Sequence, residues 1–414
     1  MFEVPRTAGG VPRLLLTLLG GLILAIIVGV GVVRWKSPAH GSTAALRAPT
    51  ASRPPVQVVQ DLPLLAARLD REAAAGRFMG AVLVAKGDKV LFRQVYGKAD
   101  YEQNRPLTLK SRFRLASISK QFTAAAILHL QDEGRLTVDD PVCKWIQPCP
   151  SAWAPIRIHH LLSHTSGIPD LMARPGWGMR RTTPATLAEL TEDSKRFGLQ
   201  FAPGTKVSYD NAAFNLAAAI VEKASGQPFQ TYMQQTFFTP LGMTNSGLDL
   251  DGADHGVVMG YANYPGGLAA QPNANTSIVA GAGAVYSTLD DLLVWQRALH
   301  HGGLLKPDTY RQMLADHAPA DTKPNERGHR RRDWGYGVFV NSLGEQVEPA
   351  FGDRQIYHTG SWGGFRNLML YQPDADVTVI VLSNNYHLRD QVFLISQQAM
   401  AEALGRPFPT TLNR

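Results

Sequence analysis

The chain has 414 residues, of which 44% are hydrophobic and 18% charged, and a formal charge of +7. This exceeds one average domain and leaves enough apolar material for a large core, which excludes a mostly disordered chain. The basic excess is mild: its visible run, Arg327 and His329 to Arg332, reads as a solvated loop, with contact to anionic lipid or cell-wall polymer the lesser alternative. No nucleic-acid motif accompanies it.

Taken in chain order, residues 1–13 form a short tail. Leu14 to Val33 is then a run of twenty residues without a charge, bounded by Arg13 and Arg34. That length spans a bilayer as a helix. It exceeds the usual apolar region of a cleaved signal peptide and no cleavage site follows directly, so an uncleaved anchor is the better reading. Positive charge on both flanks leaves its orientation open. Residues 34–56 turn to Ala, Ser, Pro, Thr and Gly, the composition of a linker.

A globular region over 57–405 follows, then a C-terminal tail, 406–414. Its periodicity predicts a helix over 62–75 and a hairpin, MGAVLVAKG with KVLFRQVYG, turning at Gly87-Asp88. A helix starts near Ser117 and ends at Gly134. Helical patterns recur at 184–197, 211–225, 228–238 and 289–300. Strand patterns return in WGYGVFV, RNLMLYQ and DVTVIVLSN, before a last helix over 388–404. The expected fold is therefore α+β, an antiparallel sheet flanked by helices and built from both chain ends, with a mostly helical domain inserted. Cys143 and Cys149 are the only cysteines. A disulfide closing this small loop fits a domain outside the cytoplasm, although spacing alone does not establish its geometry.

The stretch RLASISKQFTAAAILHL, residues 114–130, carries the chemistry. Lys120 stands on the first turn of a helix, where the dipole disfavours a cation, three residues after Ser117. Positions i and i+3 share a helix face. A serine alcohol is a weak nucleophile until a base removes its proton. A lysine serves as that base if burial and the helix terminus lower its pKa. The tetrapeptide S-x-x-K is weak evidence by itself. Downstream, however, stand Tyr209-Asp210-Asn211 ahead of a helix, and His358-Thr359-Gly360 between two strands.

With these three motifs in this order the chain resembles the serine β-lactamase and penicillin-binding protein superfamily, in its class C β-lactamase-like branch of D,D-peptidases, D-aminopeptidases and esterases. HHLLSHTSGIPD, residues 159–170, and AGAGAVYSTLDDLLVWQ, residues 280–296, are similar to connecting signatures of that branch. The resemblance covers roughly residues 60 to 405. It implies Ser117 as acylated nucleophile, Lys120 and Tyr209 as its activating pair, and Asn211 orienting Lys120 and bonding the substrate. It further implies an oxyanion hole from the backbone N–H groups of Ser117 and Ser361, and substrate contacts at Thr359 and Gly360. Tyrosine, whose ordinary pKa is near 10, is a base only where cations stabilise its phenolate, so which of the pair takes the proton first stays open. Well-known β-lactamases carry lysine where this chain has His358; a histidine there, only partly charged near neutrality, disfavours efficient penicillin hydrolysis. Tyr336, in a GYG turn, and Trp362, beside the oxyanion region, are candidate cleft residues.

No cofactor and no metal are expected: His159, His160 and His164 suggest a metal site with Asp170, but in the family signature such histidines fix a loop by hydrogen bonds. The absence of H-E-x-x-H and of G-x-S-x-G removes zinc-protease and α/β-hydrolase readings. The expected protein is a membrane-anchored serine hydrolase acting outside the cytoplasm on a D-amino-acid peptide, β-lactam or small ester. The alternative is a catalytically silent protein that binds peptidoglycan fragments or β-lactams. The sequence does not specify oligomeric state.

Overall fold

A computed structural model describes residues 57–271, 275–319 and 331–413. The tail, anchor and linker expected over 1–56, and most of the basic run, lie outside the described residues. Among the described residues no helix is long and apolar enough to cross a membrane.

The main sheet has eight antiparallel strands. In chain order they are β1 (Val59–Gln60), β2 (Gly80–Lys86), β3 (Lys89–Tyr96), β4 (Asp333–Trp334), β5 (Phe339–Asn341), β6 (Gln355–Trp362), β7 (Phe365–Gln372) and β8 (Val377–Ser383). Their spatial order is β1-β3-β2-β8-β7-β6-β5-β4. The join between the chain ends is the β2–β8 ladder, from Val377 opposite Lys86 to Leu382 opposite Ala81. Seven consecutive buried residues in β8 reflect a central strand covered on both faces.

Six helices matter for the site: α1 (Pro63–Ala74), α2 (Ser119–Asp132), α3 (Leu187–Lys195), α4 (Asn211–Ser225), α5 (Leu289–His300) and α6 (Arg389–Leu404). Helix α1 begins with proline at its first turn, where the missing N–H is not needed. It packs with α6 on one face, where Leu65, Leu69, Val82, Val379 and Ile395 form one cluster. On the other face, Ala81, Leu83, Ile380 and Leu382 belong to the same cluster as Phe122, Phe214 and Trp295 of α2, α4 and α5. The helices of the middle segment thus pack on one face of the sheet. They share a continuous core with the sheet, as expected of elements that each bury one apolar face.

Helix α2 is buried nearly all round rather than along one stripe. Its polar side chains stay because each finds a partner: Trp295 Nε1 donates to Gln121 Oε1 at 2.9 Å, and Thr123 Oγ1 donates to the Gly281 carbonyl at 2.6 Å. Cys143 and Cys149 are bonded, with Cα atoms 5.3 Å apart.

Candidate active site

Ser117 lies in a 3-10 turn, Ala116–Ile118, that leads directly into α2. The turn is held from two sides. Arg114 pairs with Asp249 at 2.7 Å, while its carbonyl accepts a bond from Asn367 Nδ2 on β7. Ala116 has φ +51°, a left-handed conformation that costs an alanine energy and that the packed surroundings must enforce. Strand β6 runs against this turn, and a Cβ at Gly360 would collide with the Leu115 carbonyl, so glycine is required there. Strand β5 pairs with β6 only over Gln355–Tyr357. Beyond it, among the described residues, His358–Trp362 have a ladder partner only on the β7 side, the arrangement by which an extended ligand adds to a sheet. Thr359 is exposed on this stretch, while Ser361 and Trp362 are half-buried.

Lys120 is 0% exposed. Its Nζ lies 3.2 Å from Ser117 Oγ, 2.8 Å from Asn211 Oδ1 and 3.0 Å from the Ala282 carbonyl. An ammonium donates to all three. A neutral amine donates to the two acceptors that can only accept, leaving its lone pair toward the serine hydroxyl. Burial pulls the lysine down to about 7, against the opposing pull of Asp170 and Asp210. The amine is thus poised to exchange a proton near neutrality.

The Tyr209 hydroxyl lies near Ser117, and Lys120 Nζ sits 4.7 Å from its ring centroid. Burial nevertheless raises the phenol above its ordinary range. It therefore stays protonated at pH values where Lys120 has begun to lose its proton. Asp210 caps α4 through a 2.7 Å bond from the Ala212 N–H and is raised to about 7, first by burial and then by Asp170. Asn211, the first residue of α4, reaches Lys120 as the motif implies.

His358 departs from expectation. It is 1% exposed, and burial, with Lys120 nearby, lowers it to about 3, so it is neutral rather than partly charged near pH 7. Its Nδ1–H donates to the Thr359 carbonyl at 2.6 Å, which leaves Nε2 as an acceptor. Tyr336 departs too. It is 2% exposed and stacked on His317 at 3.9 Å between ring centroids, so it packs in the core and does not line the cleft. Trp362 is half-buried, its ring 6.0 Å from that of Trp177.

The signature histidines do fix loops. His164 Nδ1 accepts the Asp210 N–H and His160 Nδ1 accepts the Arg157 N–H, both at 3.0 Å. The His164 ring also stacks behind Tyr209, 4.5 Å away. Sequence reasoning missed two members of the site. The Ala282 carbonyl is a backbone group without a residue signature. Asp170, set aside as a non-ligand, accepts from both the N–H and the Nδ2 of Asn211, at 2.8 and 3.0 Å; its place at the end of the 159–170 signature was the available signal.

A β-lactamase family model matches residues 65–399. The chain is 29% identical over 375 residues to esterase EstB of Burkholderia gladioli, covering 81% of this chain and 94% of the esterase. It is 27% identical over 342 residues to a D-aminopeptidase of Gluconobacter oxydans, covering 80% of this chain and 59% of that relative. Among solved structures, the octameric penicillin-binding protein homologue from Pyrococcus abyssi aligns with a TM-score of 0.70 at 25% identity, over 84% of this chain and 78% of that one. The chain belongs to the β-lactamase family, in its class C-like branch, as a hydrolase of the β-lactamase, D,D-peptidase and esterase type.

Proposed function

We propose that the protein hydrolyses an amide or ester bond in a D-amino-acid compound or small ester through an acyl-enzyme on Ser117. The observation that carries this reading is the Lys120 amine, buried and 3.2 Å from Ser117 Oγ, with its two other contacts taken by groups that only accept. Neutral Lys120 removes the Ser117 proton as Oγ attacks the substrate carbonyl. The oxyanion forms at the backbone N–H groups of Ser117 and Ser361. The Lys120 ammonium then passes its proton, through the Tyr209 hydroxyl, to the departing amine or alkoxide, and water releases the acyl group by the reverse proton path. Lysine rather than tyrosine is the first base because burial favours the neutral form of both groups.

A neutral His358 leaves this strand without the cation that a lysine would bring, which favours peptide and ester substrates over rapid β-lactam turnover. The names of the esterase and D-aminopeptidase relatives support the same substrate classes. We place the catalytic domain outside the cytoplasm, tethered through residues 14–33. The Cys143–Cys149 bond supports that placement, since such bonds persist in oxidising compartments.

The test is intact mass of residues 55–414 after incubation with a p-nitrophenyl ester, D-alanine p-nitroanilide or a penicillin, with Ser117→Ala alongside. Turnover of the first two, lost in Ser117→Ala, is the expected result. A lasting penicillin adduct without turnover of any substrate would instead support a binding or sensor protein. No Ser117-dependent adduct or turnover overturns the reading.

A further inference from the structure

We propose that Asp170 is a positioning residue: its carboxylate holds the Asn211 amide with the oxygen toward Lys120, and so directs the amine's lone pair at Ser117. The proposal rests on the reading of Lys120 as the base. Its geometry comes from one oxygen, Asp170 Oδ1, which accepts from the backbone N–H of Asn211 at 2.8 Å and from its side-chain Nδ2 at 3.0 Å. The other end of the same amide, Oδ1, accepts from Lys120 Nζ at 2.8 Å.

The two ends of a primary amide are nearly alike in size, so shape does not choose between its two orientations. Electrostatics does. Turned over, the amide would set its oxygen against the Asp170 carboxylate and lose that bond, and its NH₂ would repel a Lys120 ammonium or engage the amine lone pair that Ser117 needs. Asp170 therefore supplies what Asn211 cannot supply for itself, a reason to present oxygen. With that oxygen and the Ala282 carbonyl both occupied by Lys120 hydrogens, the third direction at Nζ is left for Ser117.

Asp170 stands at the end of the loop after the short helix Ile158–Leu162, on a different element from every motif residue. Besides its His164 contacts to Tyr209 and Asp210, the loop is held away from the site. Its Gly167 carbonyl accepts the Gln200 N–H at 2.8 Å, and Ser166 Oγ accepts the Ile168 N–H at 3.1 Å. Asp170 also acts through its charge. The groups facing Lys120 are Asp170 and Asp210, which favour its ammonium, His164 and His358, held neutral by burial, and the protonated Tyr209. Removing the Asp170 charge while keeping an acceptor in place lowers the pH at which Lys120 loses its proton.

The experiment compares wild type, Asp170→Asn, Asp170→Ala, Asn211→Ala and the Asp170→Ala/Asn211→Ala double variant. One readout is the rate of Ser117 acylation by p-nitrophenyl acetate, taken from the p-nitrophenolate burst and confirmed by mass. The other is the titration of the Lys120 side chain by NMR with ε-¹³C lysine, assigned through Lys120→Met. Asp170→Ala slows acylation by about 10²-fold, the usual effect of a misplaced catalytic group. In the Asn211→Ala background the same change has little further effect, because Asp170 works through that amide. Asp170→Asn, which still offers an oxygen, retains more activity than Asp170→Ala and shifts the Lys120 titration to lower pH. Effects of Asp170→Ala and Asn211→Ala that multiply would overturn the proposal, and so would an unmoved Lys120 titration in Asp170→Asn. Should Asp170→Ala fail to fold, the isosteric Asp170→Asn carries the test. Wild type that does not acylate at all refutes the acyl-enzyme reading instead, while the NMR titration still reports on Asp170.

Discussion

Burial makes the charged form of Lys120 costly. In the unfolded chain it titrates near 10.5; buried in the fold it releases its proton near 7. Between those values the unfolded state binds more protons, so stability rises with pH across that window and falls as pH drops toward 7. Below 7 the full penalty applies, on the order of a few kcal/mol. Lys120→Met is therefore expected to abolish acylation yet raise the melting temperature at pH 6, with the gain shrinking toward pH 10. The same titration sets the activity profile: kcat/KM of wild type should rise about tenfold per pH unit below a midpoint near 7 and level off above it. A flat profile through pH 6–8, or a Lys120→Met gain over wild type that is no larger at pH 6 than at pH 9, would contradict this account. The opening residues of α2 thus trade stability for reactivity, which explains an ammonium on a turn whose dipole disfavours it.

Between elements, the critical contact is that of β6 with the turn carrying Ser117. Gly360 meets the Leu115 carbonyl, and Asn367 on the neighbouring β7 bonds the Arg114 carbonyl. These contacts determine where the edge of β6 lies relative to the serine. Gly360→Ala forces the two apart while leaving both faces of the sheet intact. We expect kcat to fall by about 10²-fold with only a modest loss of melting temperature. A fall in stability matching the loss of activity would mean that the contact serves the fold alone. The 280–296 signature acts at the same scale. Its Gly281 and Ala282 carbonyls bind Thr123 and Lys120, and its Val285 N–H bonds Ser119 Oγ, so this segment seats the first two turns of α2.

Across the whole molecule, both ends of the described chain meet in the β2–β8 ladder, on a sheet buried on both faces. A reporter that is active only outside the cytoplasm, fused after Arg414, should be active if residues 14–33 tether the domain there; an inactive fusion with intact expression would refute that placement. Strands β2, β3, β7 and β8, the main helices and the three motifs were legible in the sequence because periodicity and residue type are local properties, whereas WGYGVFV divides into β4 and β5, and His358–Gly360 lie within β6 rather than between strands. Asp210 and Asn211 opening a helix, or Gly134 closing one, need no tertiary contact to be recognised. The rest was not legible, for physical reasons that differ by residue. The Ala282 carbonyl belongs to a backbone that every residue shares. Asp170 acquires its role only when a loop brings it to Asn211, 41 positions away. His358 looked partly charged because an isolated imidazole is, and Tyr336 looked like a cleft residue because a turn is usually exposed. Sequence by itself determined which groups are present and in what order. Only the tertiary structure decided which of them are buried, hence which are charged and which can reach Ser117, because desolvation and distance are properties of the folded chain.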